Sequence, residues 1–149
     1  MKTAGVPLAK RISMMLLGVL LLLPAQARAQ VVVIANPSVA ATEISRAELR
    51  DIFTGASSSL RRGIAVTPVL QKQGPVQDEF LDRYIGRSDS ALRAGWRSIL
   101  FSGQGVMPKT LDSDAAVVAY VARTPGAIGY VDKSSSHDGV KVLAVRQDS

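Results

Sequence analysis

Apolar positions fall in two rhythms along this chain, and each change of rhythm marks an element. Val31–Ala35 is an unbroken, largely β-branched run, the pattern of a strand buried in a parallel or mixed sheet. Asn36-Pro37-Ser38 ends it, because proline has no amide to give a ladder, and a loop is expected from there to Glu43. Ser45-Arg-Ala-Glu48 has the form of a capping box, with Ile44 and Leu49 spaced as a hydrophobic staple. The helix that follows turns Ala47, Leu49, Ile52 and Phe53 inward and stops at Thr54-Gly55, glycine being the usual left-handed residue just past a helix. A serine-rich loop over 56–63 leads to a second, weakly alternating strand over 64–70.

Residues 71–74 read as a strand-to-helix turn. Pro75 suits the first helical position, where its missing amide costs nothing. That helix runs to about Ile85, with Val76, Phe80, Leu81 and Tyr84 on one face, and Gly86 ends it. Ser88 or Asp89 caps a helix over 90–101 that points Leu92, Trp96, Ile99 and Leu100 inward. A glycine-rich loop over 102–108 follows. Asp112, Ser113 or Asp114 caps a helix over 115–123 that is apolar on most sides and therefore well buried. Pro125-Gly126 stops it, and residues 127–131 form a short buried strand. A polar loop over 132–139 precedes a closing, alternating strand over 140–145. Strands and helices mostly alternate, so the chain reads as α/β, a mixed sheet of about four strands flanked by helices.

Gly129 sits in the middle of the strand over 127–131. Glycine there is unfavourable unless another backbone or a ligand must come close. The expectation is a cavity shared between this strand and the amide-rich start of the helix at Pro75.

The N-terminal region changes the reading of composition. Lys2, Lys10 and Arg11 precede an apolar run from Met14 to Leu23, Pro24 breaks it, and Ala27-Arg28-Ala29 is a small-x-small pattern. These are the marks of a secretory signal peptide over 1–29, cleaved after Ala29. The apolar run falls well short of the ~20 residues needed to cross a bilayer, so no membrane insertion is expected after cleavage. The leader holds four of the 18 Lys and Arg and none of the 12 Asp and Glu, leaving 14 against 12 and a net charge of +2. That is no nucleic-acid footprint. Residues 30–149 are expected to form one domain, periplasmic or secreted, and without cysteine it must stand on packing alone.

Candidate chemistry is sparse. His137 is the sole histidine and lies in a Ser/Asp-rich loop; no nucleophile elbow and no Cys/His pair exists. Asp78, Glu79 and Asp82 cluster near a helix start, where acids complement the dipole. No glycine-rich nucleotide motif follows a strand. No catalytic residue, metal site or cofactor is expected. The positive candidate is the turn over 71–77, where helix-start amides favour an anion and Lys72, Gln73, Gly74 and Gln77 could contribute. A second, weaker candidate is the loop Ser102-Gly103-Gln104-Gly105, whose other reading is a flexible helix-to-helix connection. Arg61 and Arg62 read either as a carboxylate or phosphate clamp or as a solvated pair. Trp96, spaced with Leu92 and Leu100, reads as core.

Several blocks taken together resemble a known family. They are Ile44-Ser-Arg-Ala-Glu-Leu-Arg-Asp-Ile-Phe-Thr-Gly55, Gly63-Ile-Ala-Val-Thr-Pro-Val69, then Phe80, Trp96 and Phe101, then Thr124-Pro-Gly-Ala-Ile-Gly-Tyr-Val131. The succession is similar to the phosphate-binding proteins of bacterial ABC importers, and most of all to the short, single-domain phosphate-transporter substrate-binding-like proteins of the periplasm. The resemblance implies a type II periplasmic-binding-protein lobe, export, and oxyanion binding between lobes. The family's Arg and Ser-Gly-Thr motif would fall at 70–77, where Gly74 is kept and the Arg and hydroxyls are replaced. No stretch near Val31 matches the family's first phosphate turn; Ser38 is the nearest hydroxyl there. The function so implied is a non-enzymatic solute-binding protein for phosphate or a similar oxyanion, serving an ABC importer or a periplasmic sensor. The alternative is a periplasmic protein-interaction module that keeps the fold and has lost the pocket.

Overall fold

The computed structural model describes residues 29–148. The leader expected over 1–29 lies outside them, its last position apart. Among the described residues there are eight strands: β1 (Val31–Ala35), β2 (Glu43–Ser45), β3 (Ser59–Leu60), β4 (Ile64–Ala65), β5 (Thr67–Gln71), β6 (Lys109–Leu111), β7 (Ala127–Asp132) and β8 (Lys141–Arg146). Four helices lie between them: α1 (Arg46–Thr54), α2 (Pro75–Phe80, continued by a π-helical turn, Leu81–Ile85), α3 (Asp89–Phe101) and α4 (Asp114–Arg123).

Six strands form one mixed sheet in the order β2-β8-β1-β7-β5-β6. β1 runs antiparallel to β7 and β8, whereas β5 is parallel to β7 and to β6, and β2 is parallel to β8. The α/β class and mixed sheet agree with the pattern, but the sheet has six strands rather than about four. The two extra strands are the edges, β2 and β6, each three residues long, too short to show a period. The strand expected over 64–70 is two: β4 pairs with β3 in a small separate hairpin, and β5 begins at Thr67.

The sheet is covered on both faces, as its alternation requires. Ile34, Val69, Ala127 and Val131 pack with Val117, Val118 and Val121 of α4. On the other face Val33, Leu70, Ile128, Tyr130 and Leu143 pack with α1, α2 and α3 through Leu49, Ile52, Phe53, Phe80, Leu92 and Trp96. The Trp96 indole N–H donates to the Phe53 carbonyl at 2.9 Å, so the ring can be buried without an orphaned donor.

Gly129 lies in a central strand, but no ligand space lies in front of it. A Cβ added there would stand 2.9 Å from Val117 Cγ1 and 3.4 Å from Val121 Cγ2. The glycine lets α4 approach β7 closely, and the cavity expected at this position is filled by two valines. In α2 the inward face is Gln77, Phe80, Leu81, Tyr84 and Ile85, the ordinary helical spacing, and Val76 is only partly buried; Gln77 can stand in the core because it bonds to Tyr130 and Asp89. Leu100, expected inward, is 41% exposed, because α3 projects past the core at its C-terminal end.

Candidate functional site

β5 and β6 are parallel neighbours, so the segments leaving them, to α2 and α4, emerge at the same edge of the sheet. Between these two helix starts lies a cleft of about 260 Å³, lined by Gln71 to Gln77 on one wall and by Asp112, Ser113 and Asp114 on the other. Gly74 stands just before α2, no side chain caps that start, and Pro75 follows. The first amide bonded back into the helix is that of Asp78, to the Gly74 carbonyl at 2.9 Å. The amides of Val76 and Gln77 precede it and belong to the unsatisfied first turn. The start of α4 is capped instead, with Ser113 Oγ accepting from the Ala116 amide at 3.1 Å.

Behind this cleft is a buried polar network. The Tyr130 hydroxyl accepts from the Gln71 amide at 2.9 Å and donates to Gln77 Oε1. Burial pushes the Tyr130 phenol well above its ordinary range, against the weaker downward pull of the Gln71 bond and the Arg93 charge. Gln71 Nε2 donates to Asp114 Oδ1 at 2.7 Å and to the Tyr130 carbonyl at 2.9 Å. Gln77 Nε2 donates to Asp89 Oδ1 at 3.0 Å, and Arg93 Nε donates to Asp89 Oδ2 at 2.9 Å. Arg93 also donates to the Gln71 carbonyl at 3.1 Å and to Thr110 Oγ1 at 3.3 Å. Burial would raise the Asp89 carboxyl, but the bonds from Arg93 and Gln77 outweigh it and hold the group below the usual carboxylate range. The Phe80 ring stacks on Tyr130, centroids 3.7 Å apart.

The backbone superposes on that of a protein assigned as a phosphate ABC transporter substrate-binding protein, from Clostridium perfringens and with phosphate bound. The TM-score is 0.63 at 18% identity, over 78% of this chain and 45% of that one. PstS from Borrelia burgdorferi matches with a TM-score of 0.61 at 14% identity, over 79% and 47% of the two chains. An ABC-type phosphate transport receptor from Vibrio cholerae matches at 0.58 and 14%, over 78% and 46%. The fold is that of the phosphate-transporter substrate-binding proteins. The chain spans less than half the length of these structures. No family model and no curated protein sequence matches it.

Within this periplasmic-binding-protein-like fold, four of the residues singled out from sequence come together: Lys72, Gln73, Gly74 and Gln77 all line the cleft. Their states differ. Lys72 and Gln73 are exposed, while Gln77 is fully buried and committed to Tyr130 and Asp89. Gly74 is extended (φ 165°) rather than left-handed, so its backbone needs no special freedom. A Cβ there would meet nothing within 4 Å, so the space in front of it is open.

Ser38 is elsewhere. Ala35 pairs with Ile128, and Thr67 with Ala127, which puts the loop after β1 at the opposite end of the sheet from Gln71. There Ser38 Oγ accepts from the Gly126 amide at 2.9 Å. Gly103 (φ 75°) and Gln104 wrap the end of α3, their amides donating to the Leu100 and Ile99 carbonyls at 3.1 Å each. Neither reaches the cleft. Arg61 pairs loosely with Glu48 at 3.5 Å. From sequence, Asp112, Ser113 and Asp114 are legible only as helix caps. Recognising β6 as a strand parallel to β5 would have brought their helix start beside that of α2.

Proposed function

We propose that this protein is an exported, non-enzymatic solute-binding protein that takes phosphate or a similar small oxyanion in the cleft between α2 and α4. The observation that carries this reading is the uncapped helix start at Gly74-Pro75, opening onto free space in a fold shared with phosphate-binding proteins. Unpaired amides at a helix N-terminus, with the dipole behind them, attract an anion. Lys72 adds a cation at the same wall. An ABC importer or a periplasmic sensor would be the partner that reads occupancy.

Asp112 and Asp114 on the facing wall set the selectivity. A fully deprotonated anion meets two carboxylates there, whereas hydrogen phosphate can donate its remaining O–H to one of them. Discrimination then comes from a built-in penalty against the wrong anion as much as from contacts to the right one. Calorimetric titration of residues 30–149 with phosphate, sulfate and small carboxylates tests this. Heat and a thermal shift with phosphate, and weaker binding of sulfate, are expected. No heat and no thermal shift at millimolar phosphate would reject the oxyanion receptor. That outcome favours the protein-interaction module, for which the acidic wall and the locked Gln77 side chain already speak.

A further inference from the structure

At the other end of β5 from the oxyanion cleft lies a second concavity, a groove of about 410 Å³. That volume is within the ~300–1,000 Å³ usual for small-molecule sites, which are mostly apolar with a few placed polar groups. Its walls include Pro68 at the start of β5, Trp96 and Ile99 of α3, Met107 of the loop before β6, and Tyr120 of α4. The Trp96 N–H is already used by the Phe53 carbonyl, so the small part of the indole that is exposed, 7%, offers only apolar ring surface. Val106 belongs to the same lining and is 78% exposed, an apolar side chain left uncovered at the lip.

The polar end of an occupant is set by charge. Among the described residues, Lys109 is the one charged side chain lining the groove, and no carboxylate lines it. Its Nζ lies 5.1 Å from the centre of the Tyr120 ring, and the Arg123 guanidinium lies 5.5 Å from the same ring. Of these two cations at the Tyr120 ring, Lys109 lines the groove itself. We propose that this groove binds a small amphipathic carboxylate, its aromatic or branched body on Trp96 and Ile99 and its carboxylate on Lys109. A charge-assisted bond to the ammonium offsets the desolvation of the anionic end. A cationic head would be repelled, and a neutral one would gain no ion pair.

Trp96 is the only tryptophan in the chain, so its emission reads this groove directly. The protein is titrated with 4-phenylbutyrate and with the uncharged 4-phenylbutanol. A saturable change is expected with 4-phenylbutyrate. Binding should be about tenfold weaker for the alcohol and for the Lys109→Gln variant, the loss expected of a charge-assisted contact. Lys109 is exposed, so the variant keeps the fold, which circular dichroism checks. No saturable change, an equal response to the alcohol, or unchanged affinity in Lys109→Gln each overturns the proposal. Displacement of 4-phenylbutyrate by inorganic phosphate would assign the probe to the other cleft and overturn it as well.

Discussion

A methyl group added at Gly129 would stand 2.9 Å from Val117 Cγ1, inside the packed contact between β7 and α4. Overpacking of this kind costs about 1–3 kcal/mol. At Gly74 the same methyl would meet nothing within 4 Å. The expected outcome is that Gly129→Ala lowers the urea midpoint clearly, while Gly74→Ala changes stability by less than about 1 kcal/mol but weakens phosphate binding by crowding the amides. Equal midpoints for the two variants would refute this division of roles. Sequence shows that both are glycines at junctions of interest. Whether a glycine admits a helix or faces open space depends on what lies opposite it, and for Gly129 that is a helix nearby in the chain but on the far side of a turn.

At the scale of elements, the helix starts were legible because they are local. Ser45, Ser88 and Ser113 each accept from the amide three residues on, an arrangement set by a few consecutive residues. The edge strands β2 and β6 were not, because three residues gain their strand conformation from a neighbour's ladder. The joint between α2 and α3 is also tertiary: Gln77 of α2 donates to Asp89 of α3, which accepts from Arg93 as well. Its pH dependence has a definite sign. The Asp89 carboxyl is held below its ordinary range in the fold, so its contribution is present above the unfolded value of about 3.9 and is lost as pH falls through the lower folded one. Asp89→Asn is therefore expected to be less stable than the parent at neutral pH by about 1–3 kcal/mol. The gap should narrow below about pH 4, as urea melts at several pH values would show. A gap that stays constant with pH would remove the ionised carboxylate from the account.

For the whole molecule, the charge balance and the proposed export both rest on the first 29 residues rather than on the fold. With four cations in the leader, the remainder is close to balanced, and among the described residues no helix is long and apolar enough to cross a membrane. N-terminal sequencing of the protein from the osmotic-shock fluid of an expressing bacterium should begin at Gln30; recovery only of a chain retaining residues 1–29 would refute export. The sequence by itself determined the helices, their serine caps, the longer strands of the sheet and the α/β class, because periodicity, capping and turn chemistry act over a few neighbouring residues. Only the tertiary structure decided that β6 runs beside β5, that the starts of α2 and α4 share one cleft with two carboxylates in it, that Ser38 belongs to the opposite end, and that Gly129 serves packing. Each of these depends on which distant segments lie side by side, and pairing across the sheet is fixed by the sum of many weak contacts that no single stretch of residues encodes.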